Sequence, residues 1–222
     1  MKLLLTSGGI TNPSIRAALL ELLGKPIEAC DALVISTASY PLRRGAYLAR
    51  SFIAGDEPGT PMADLGWKSV GVLELTALPS LPRTVWVPQV EAADVLLVNG
   101  GDTIYLDRWM RDSGLAALLP SLDLVYVGLS AGSMVMSPAV ADVFASWTSP
   151  AGGEGLGLVD FELFPHLDHP ALPENTTADA ERWAAGLTRP GYAIDDQTAI
   201  KVVDGAAEVI SEGSWRHFPS SG

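Results

Sequence analysis

The chain has 222 residues, 48% of them hydrophobic and 18% charged, a composition that excludes intrinsic disorder and suffices for one domain with a sizeable core over residues 1–222. Its 26 acidic side chains outnumber the 14 basic ones, and the resulting charge of −12 repels polyanions, which excludes nucleic acid and anionic membrane as partners. A single cysteine, Cys30, excludes an internal disulfide and leaves no zinc-type cluster.

The first apolar run, at residues 2–6, is too short for a secretory signal or a spanning helix, so a cytoplasmic protein is expected. Further runs rich in Val, Leu and Ile at 32–37, 70–75, 94–98 and 124–128 read as strands apolar on both faces, the pattern of a parallel sheet covered by helices. Helical spacing falls at 15–23, 42–53, 104–119 and 179–187. This alternation predicts an α/β fold, a doubly wound and mostly parallel sheet flanked by helices. In such a fold the crevice lies at the carboxyl ends of the strands. The chain places its small and polar turns there: Ser7-Gly8-Gly9, Thr37-Ala38-Ser39, Asn99-Gly100-Gly101-Asp102 and Gly128-Leu129-Ser130. Residues 149–157 read as a Gly/Pro-rich loop and 159–163 as a strand. Residues 192–195, 199–203 and 207–211, the last two separated by Asp204-Gly205, predict a C-terminal antiparallel extension with a hairpin turn.

The segment Gly128-Leu129-Ser130-Ala131-Gly132 has the form of a nucleophile elbow. A tight strand-to-helix turn demands small neighbours and pushes the Ser130 hydroxyl toward substrate. Ala131 then offers its amide at a helix start, where an unpaired donor can face a developing oxyanion. The serine needs a base, and the histidines are His166, His169 and His217. His217 falls in a short tail and reads as a surface residue. His166 and His169 share Pro165-His166-Leu167-Asp168-His169-Pro170 after the 159–163 strand. Prolines on both sides disfavour a helix that would align the pair on a metal, and a base after a strand end suits acyl transfer better. No metal or other cofactor is expected.

The elbow, the earlier Asn99-Gly100-Gly101-Asp102-Thr103, Pro165-His166 after a strand and the late Ile194-Asp195-Asp196-Gln197-Thr198-Ala199 together resemble peptidase family S51. That family contains the aspartyl dipeptidase peptidase E and cyanophycinase. The resemblance runs from the first strand to the late hairpin and implies a fold similar to class I glutamine amidotransferases with a Ser-His-acid triad. It implies Ser130 as nucleophile and His166 as base, with His169 in reserve. If the acid lies between serine and histidine, Asp142 is best placed; Glu154, Asp160, Asp168 and the later Asp196 are its competitors. The Gly100-Gly101 turn matches the family's glycine-rich loop, which implies substrate contact at Gly100 and an oxyanion donor at Gly101 beside Ala131. Asp102, which replaces the family's asparagine in that loop, is likewise expected to contact substrate. Arg182 stands near the place of a substrate-binding arginine, offset by one residue, which on a helix turns a side chain by about 100°.

These expectations describe a serine peptidase acting on small peptides, with dipeptides bearing an N-terminal aspartate as one substrate class and the oligomeric state, monomer or homodimer, left open. Two other readings stand beside it. An α/β-hydrolase esterase would use His217 with Asp195 or Asp196, and an amidotransferase-like binding module would use Ser130 only to line a ligand crevice.

Overall fold

The computed structural model describes residues 1–56, 61–140 and 153–220. The chain begins with β1 (Lys2–Thr6), α1 (Pro13–Leu23), β2 (Asp31–Ile35), α2 (Gly45–Ala54) and β3 (Ser69–Val72). It continues through α3 (Arg83–Glu91), β4 (Val95–Val98), α4 (Thr103–Asp112), α5 (Leu115–Leu118), β5 (Val125–Leu129) and the one-turn α6 (Ala131–Met134). After these come β6 (Glu162–Phe164), α7 (Thr177–Ala184), β7 (Gly191–Ile194), β8 (Thr198–Val203), β9 (Ala206–Ser211) and β10 (Trp215–Phe218).

A seven-stranded sheet runs in the order β3-β2-β4-β5-β1-β8-β9. Its first five strands are parallel, and β8 and β9 close the far side antiparallel. Every residue of β4 and β5 is buried, which accounts for their unbroken apolar composition. Side chains alternate between two cores. Leu3, Leu5, Leu96, Val98 and Tyr126 join one, while Leu4, Val95, Leu97, Val125 and Val127 join the other with the inner face of α1. Each such aliphatic side chain contributes about 1.5–3 kcal/mol of burial. Helix α1 is delimited by its ends: Asn12 accepts the Ile15 amide, Pro13 opens the first turn, and Gly24 closes it at φ 67°.

The boundaries differ from the sequence reading in four informative places. The helix expected over 104–119 breaks into α4 and α5 at Gly114, which adopts φ 81°. Helix α3 escapes the periodicity because Pro88 interrupts it, and its buried residues are Trp86 and Val90 alone. The strand expected over 70–75 pairs only through Val72. The antiparallel extension is divided: β8 and β9 form the hairpin on β1, whereas β7 leaves for a second sheet of order β10-β7-β6. A turn at Asp195 makes that division. Its carboxylate accepts from the Gln197 and Ser214 amides and the Thr198 hydroxyl, bending the chain between sheets.

Candidate active site

The carboxyl ends of β1, β2, β4 and β5 open on one side of the sheet. Connections out of β2 and β4 leave in opposite directions along the strand order, so a crevice forms where they part. A cavity of about 180 Å³ lies there, walled by Leu42, Leu48 and Leu129 and edged by Ser39, Asn99, Gly100, Gly101, Ser130 and His166.

Ser130 sits between β5 and α6 at φ 50° and ψ −109°, a conformation that costs a non-glycine residue on the order of 1–3 kcal/mol. Its surroundings enforce that geometry. The Ser130 amide donates to the Thr6 carbonyl at 3.0 Å, and the Ser133 hydroxyl donates to the same oxygen at 2.7 Å. A Cβ on Gly128 would come within 2.5 Å of the Gly132 carbonyl, and one on Gly132 within 2.3 Å of the Val98 carbonyl. Both elbow glycines are therefore required by close backbone approach.

His166 follows β6 and Pro165 in a left-handed conformation, φ 57°. Its Nδ1 lies 2.7 Å from Asp196 Oδ1, so an ionised Asp196 holds the proton on Nδ1 and leaves Nε2 as the basic nitrogen. Ser7 also donates to Asp196 Oδ1, at 2.6 Å. Burial opposes ionisation of Asp196, but the hydrogen bond and charge of His166, the Ser7 hydroxyl and the charge of His169 outweigh it and hold the carboxyl below its ordinary value. His169 reaches the other carboxylate oxygen only at 3.6 Å, and its Nδ1 accepts the Ala171 amide.

The loop after β4 is braced from within. Asn99 accepts the Gly100 amide at 2.7 Å and donates to Ser39, whose hydroxyl donates to the Gly100 carbonyl. Gly101 has φ 139°, and a Cβ there would lie 2.1 Å from the Ala38 carbonyl oxygen, so no other residue fits. Among the described residues neither the Gly101 nor the Ala131 amide has a hydrogen-bond acceptor.

Ser130, His166, Gly100 and Gly101 are thus brought to one crevice, while Ala131, next to Ser130 in the chain, is fully buried. Asp142 lies outside the described residues, as do residues 149–152 of the expected loop. The carboxylate on His166 is that of Asp196, which chain order alone placed last among the competitors. The other described competitors are engaged elsewhere or exposed: Asp168 accepts from the Thr177 amide and hydroxyl, the Asp160 side chain is 97% exposed, and Glu154 is an exposed residue bridging to Ala139. Asp102 does not line the cavity. It is buried as the N-cap of α4 and accepts the Tyr105 amide at 2.8 Å, so the structure places this expected substrate-binding residue at a helix start rather than in the cavity wall. Arg182 projects from α7 with 72% of its side chain exposed, paired with Asp179 three residues back, and it too is absent from the cavity wall. His217 lies on β10 with its ring 4.8 Å from that of Tyr192, away from the cavity residues. Among the described residues no group of three potential ligands could hold a metal ion, and no helix is long and apolar enough to cross a membrane.

The model of peptidase family S51 matches residues 3–210. The chain belongs to peptidase family S51. Curated relatives include peptidase E of Escherichia coli O1:K1 / APEC and of Shigella boydii serotype 18, each 33% identical over 94 residues. That stretch covers 40% of this chain and 40% of each relative's length. A solved structure of a candidate peptidase E from Listeria monocytogenes EGD-e superposes with a TM-score of 0.68 at 18% identity, covering 96% of this chain and 98% of that one. A peptidase from an acI-B1 Actinobacterium superposes at 0.62 with 19% identity, covering 100% and 95%. These structural likenesses establish a shared fold.

Proposed function

We propose that this S51 chain is a serine peptidase of small peptides, with Ser130 as nucleophile, His166 as base and Asp196 as the acid. One observation carries the reading: Ser130 and His166 line the same cavity, while Asp196 occupies Nδ1 of His166 and leaves Nε2 for the serine. In the reaction, Nε2 takes the Ser130 proton as Oγ bonds to the scissile carbonyl carbon, and returns it to the leaving amine. Asp196 keeps the tautomer and stabilises the imidazolium. The Gly101 and Ala131 amides, both without acceptors among the described residues, are suited to the negative oxygen of the tetrahedral intermediate. Water then hydrolyses the acyl-enzyme by the same proton path.

The exposed, Asp179-bound Arg182 does not support an aspartate preference, and the leucine walls suit an uncharged side chain. The esterase reading loses support because Asp195 is spent on a turn and His217 stands on the other sheet.

A fluorophosphonate probe and a dipeptide library test the proposal together. The expected outcome is covalent labelling at Ser130 and hydrolysis abolished in a folded Ser130→Ala protein. Turnover at the wild-type rate in that variant would reject the mechanism. A wild-type protein that binds peptides but neither labels nor turns over would favour the binding-module reading.

A further inference from the structure

The turn after β1, Ser7-Gly8-Gly9, stands at the crevice and has no part in the proton path described above. Ser7 is the residue in it whose environment calls for a reason. It is fully buried, directly after a strand whose neighbours are apolar. Its hydroxyl is committed on both sides: it donates to Asp196 Oδ1 at 2.6 Å and accepts the His166 amide at 2.7 Å. The same oxygen lies 3.3 Å from His166 Nδ1. One hydroxyl therefore touches the backbone of the histidine and the carboxylate that orients its ring.

Neighbouring atoms extend the arrangement. The Thr6 carbonyl, one residue earlier, holds the Ser130 amide and the Ser133 hydroxyl. Gly8, one residue later, has no side chain, and a Cβ there would stand 2.9 Å from Cβ and Cγ of Asp196. Segments around residues 130, 166 and 196 thus meet at Thr6, Ser7 and Gly8, where the first strand passes into its turn.

We infer that Ser7 is a positioning residue, which sets His166 and Asp196 in register with each other and through Thr6 with Ser130. The inference rests on the serine-peptidase reading of Ser130 and His166. Ser7 acts in two ways. By accepting the His166 amide it holds a left-handed backbone that a histidine otherwise avoids. By donating to Asp196 it withdraws charge from the oxygen that faces Nδ1, and so limits how strongly the carboxylate stabilises the imidazolium. Among the described residues the titratable groups facing His166 are Asp196 and His169, whose ring centroid is 6.1 Å away, and Asp196 itself faces His169.

Removing the Ser7 hydroxyl leaves Asp196 Oδ1 with one donor in place of two. The carboxylate then holds the protonated imidazole more tightly, and the base becomes available only at higher pH. A hydroxyl that merely satisfied a buried hydrogen bond would change stability without moving the pH profile.

The experiment compares wild type with Ser7→Ala, after fluorophosphonate labelling has established Ser130 as nucleophile in the wild type. Absence of that labelling overturns the reading beneath the proposal. With labelling present, Ser7→Ala is expected to lower kcat by about 10- to 100-fold and to leave KM within about twofold, a loss confined to the reacting geometry. The acid limb of its pH profile is expected to move up by about 0.5 to 1 pH unit. If Ser7→Ala does not fold, Ser7→Cys, which keeps a weaker donor of similar shape, carries the same readouts. A folded variant with unchanged kcat and an unmoved acid limb overturns the proposal.

Discussion

Ser130 shows what a single residue contributes by its backbone alone. A positive φ at a non-glycine position stores strain, and the hydrogen bond from the Ser130 amide to the Thr6 carbonyl together with the two elbow glycines holds it in place. Glycine at position 130 would relieve that strain while removing the hydroxyl. Ser130→Gly is therefore expected to be more stable than Ser130→Ala by about 1 kcal/mol, the strain relief less the entropy lost in ordering a glycine. Urea melts of the two variants check this, and a less stable glycine variant would show that the elbow is unstrained. The elbow was legible in the sequence because its requirement is local: small residues on either side of a serine at a strand end. Asp196 was legible only as one candidate acid among several, because its partner His166 lies 30 residues away and the carboxylate that meets a histidine is recognised by where it stands.

At the scale of elements, helix α7 and the second sheet are where the sequence reading and the structure part. Thr176 and Asp179 form a capping box that fixes the first turn of α7, and Asp179 then captures Arg182 from the same helix. The arginine is oriented along the helix surface. Arg182→Ala is accordingly expected to leave kcat/KM within about twofold for both N-terminal aspartyl and neutral dipeptides, as for a surface substitution away from the site. A selective loss for the aspartyl substrate would place Arg182 in the substrate's path. Sequence reading detected the helix but not its azimuth, which a one-residue offset changes by about 100°. The departure of β7 from the expected extension was similarly hidden. Strand composition is the same whether β7 pairs with β8 or with β6, and only the Asp195 turn separates the two outcomes.

For the molecule as a whole, the charge of −12 surrounds a cavity whose walls are apolar. Such a field disfavours the approach of an acidic peptide relative to a neutral one. Raising ionic strength from about 0.01 M to about 0.15 M shortens the Debye length from about 30 Å to about 8 Å and removes most of that penalty. The ratio of kcat/KM for an acidic over a neutral dipeptide is expected to rise about threefold or more across that range. A ratio that falls with salt would reveal an attractive cation in the substrate's path. Acidification acts in the opposite direction on the fold. Because the folded-state value of Asp196 is depressed, its contribution to stability is complete above the ordinary carboxylate range and is lost as pH falls through the depressed value.

The sequence by itself determined the alternation of strands and helices, the small turns at their carboxyl ends and the elbow, since each follows from periodicity or sterics within a few residues. It also carried the motifs that resemble family S51. Tertiary structure alone decided which acid meets His166, that Asp102 caps a helix, that Arg182 points outward, and that Ser7 joins histidine to carboxylate. Those outcomes depend on the strand order that sets β1 between β5 and β8, beside the turn that carries Asp196. Contacts between residues 7, 166 and 196 come from chain folding in three dimensions, and no local pattern encodes them.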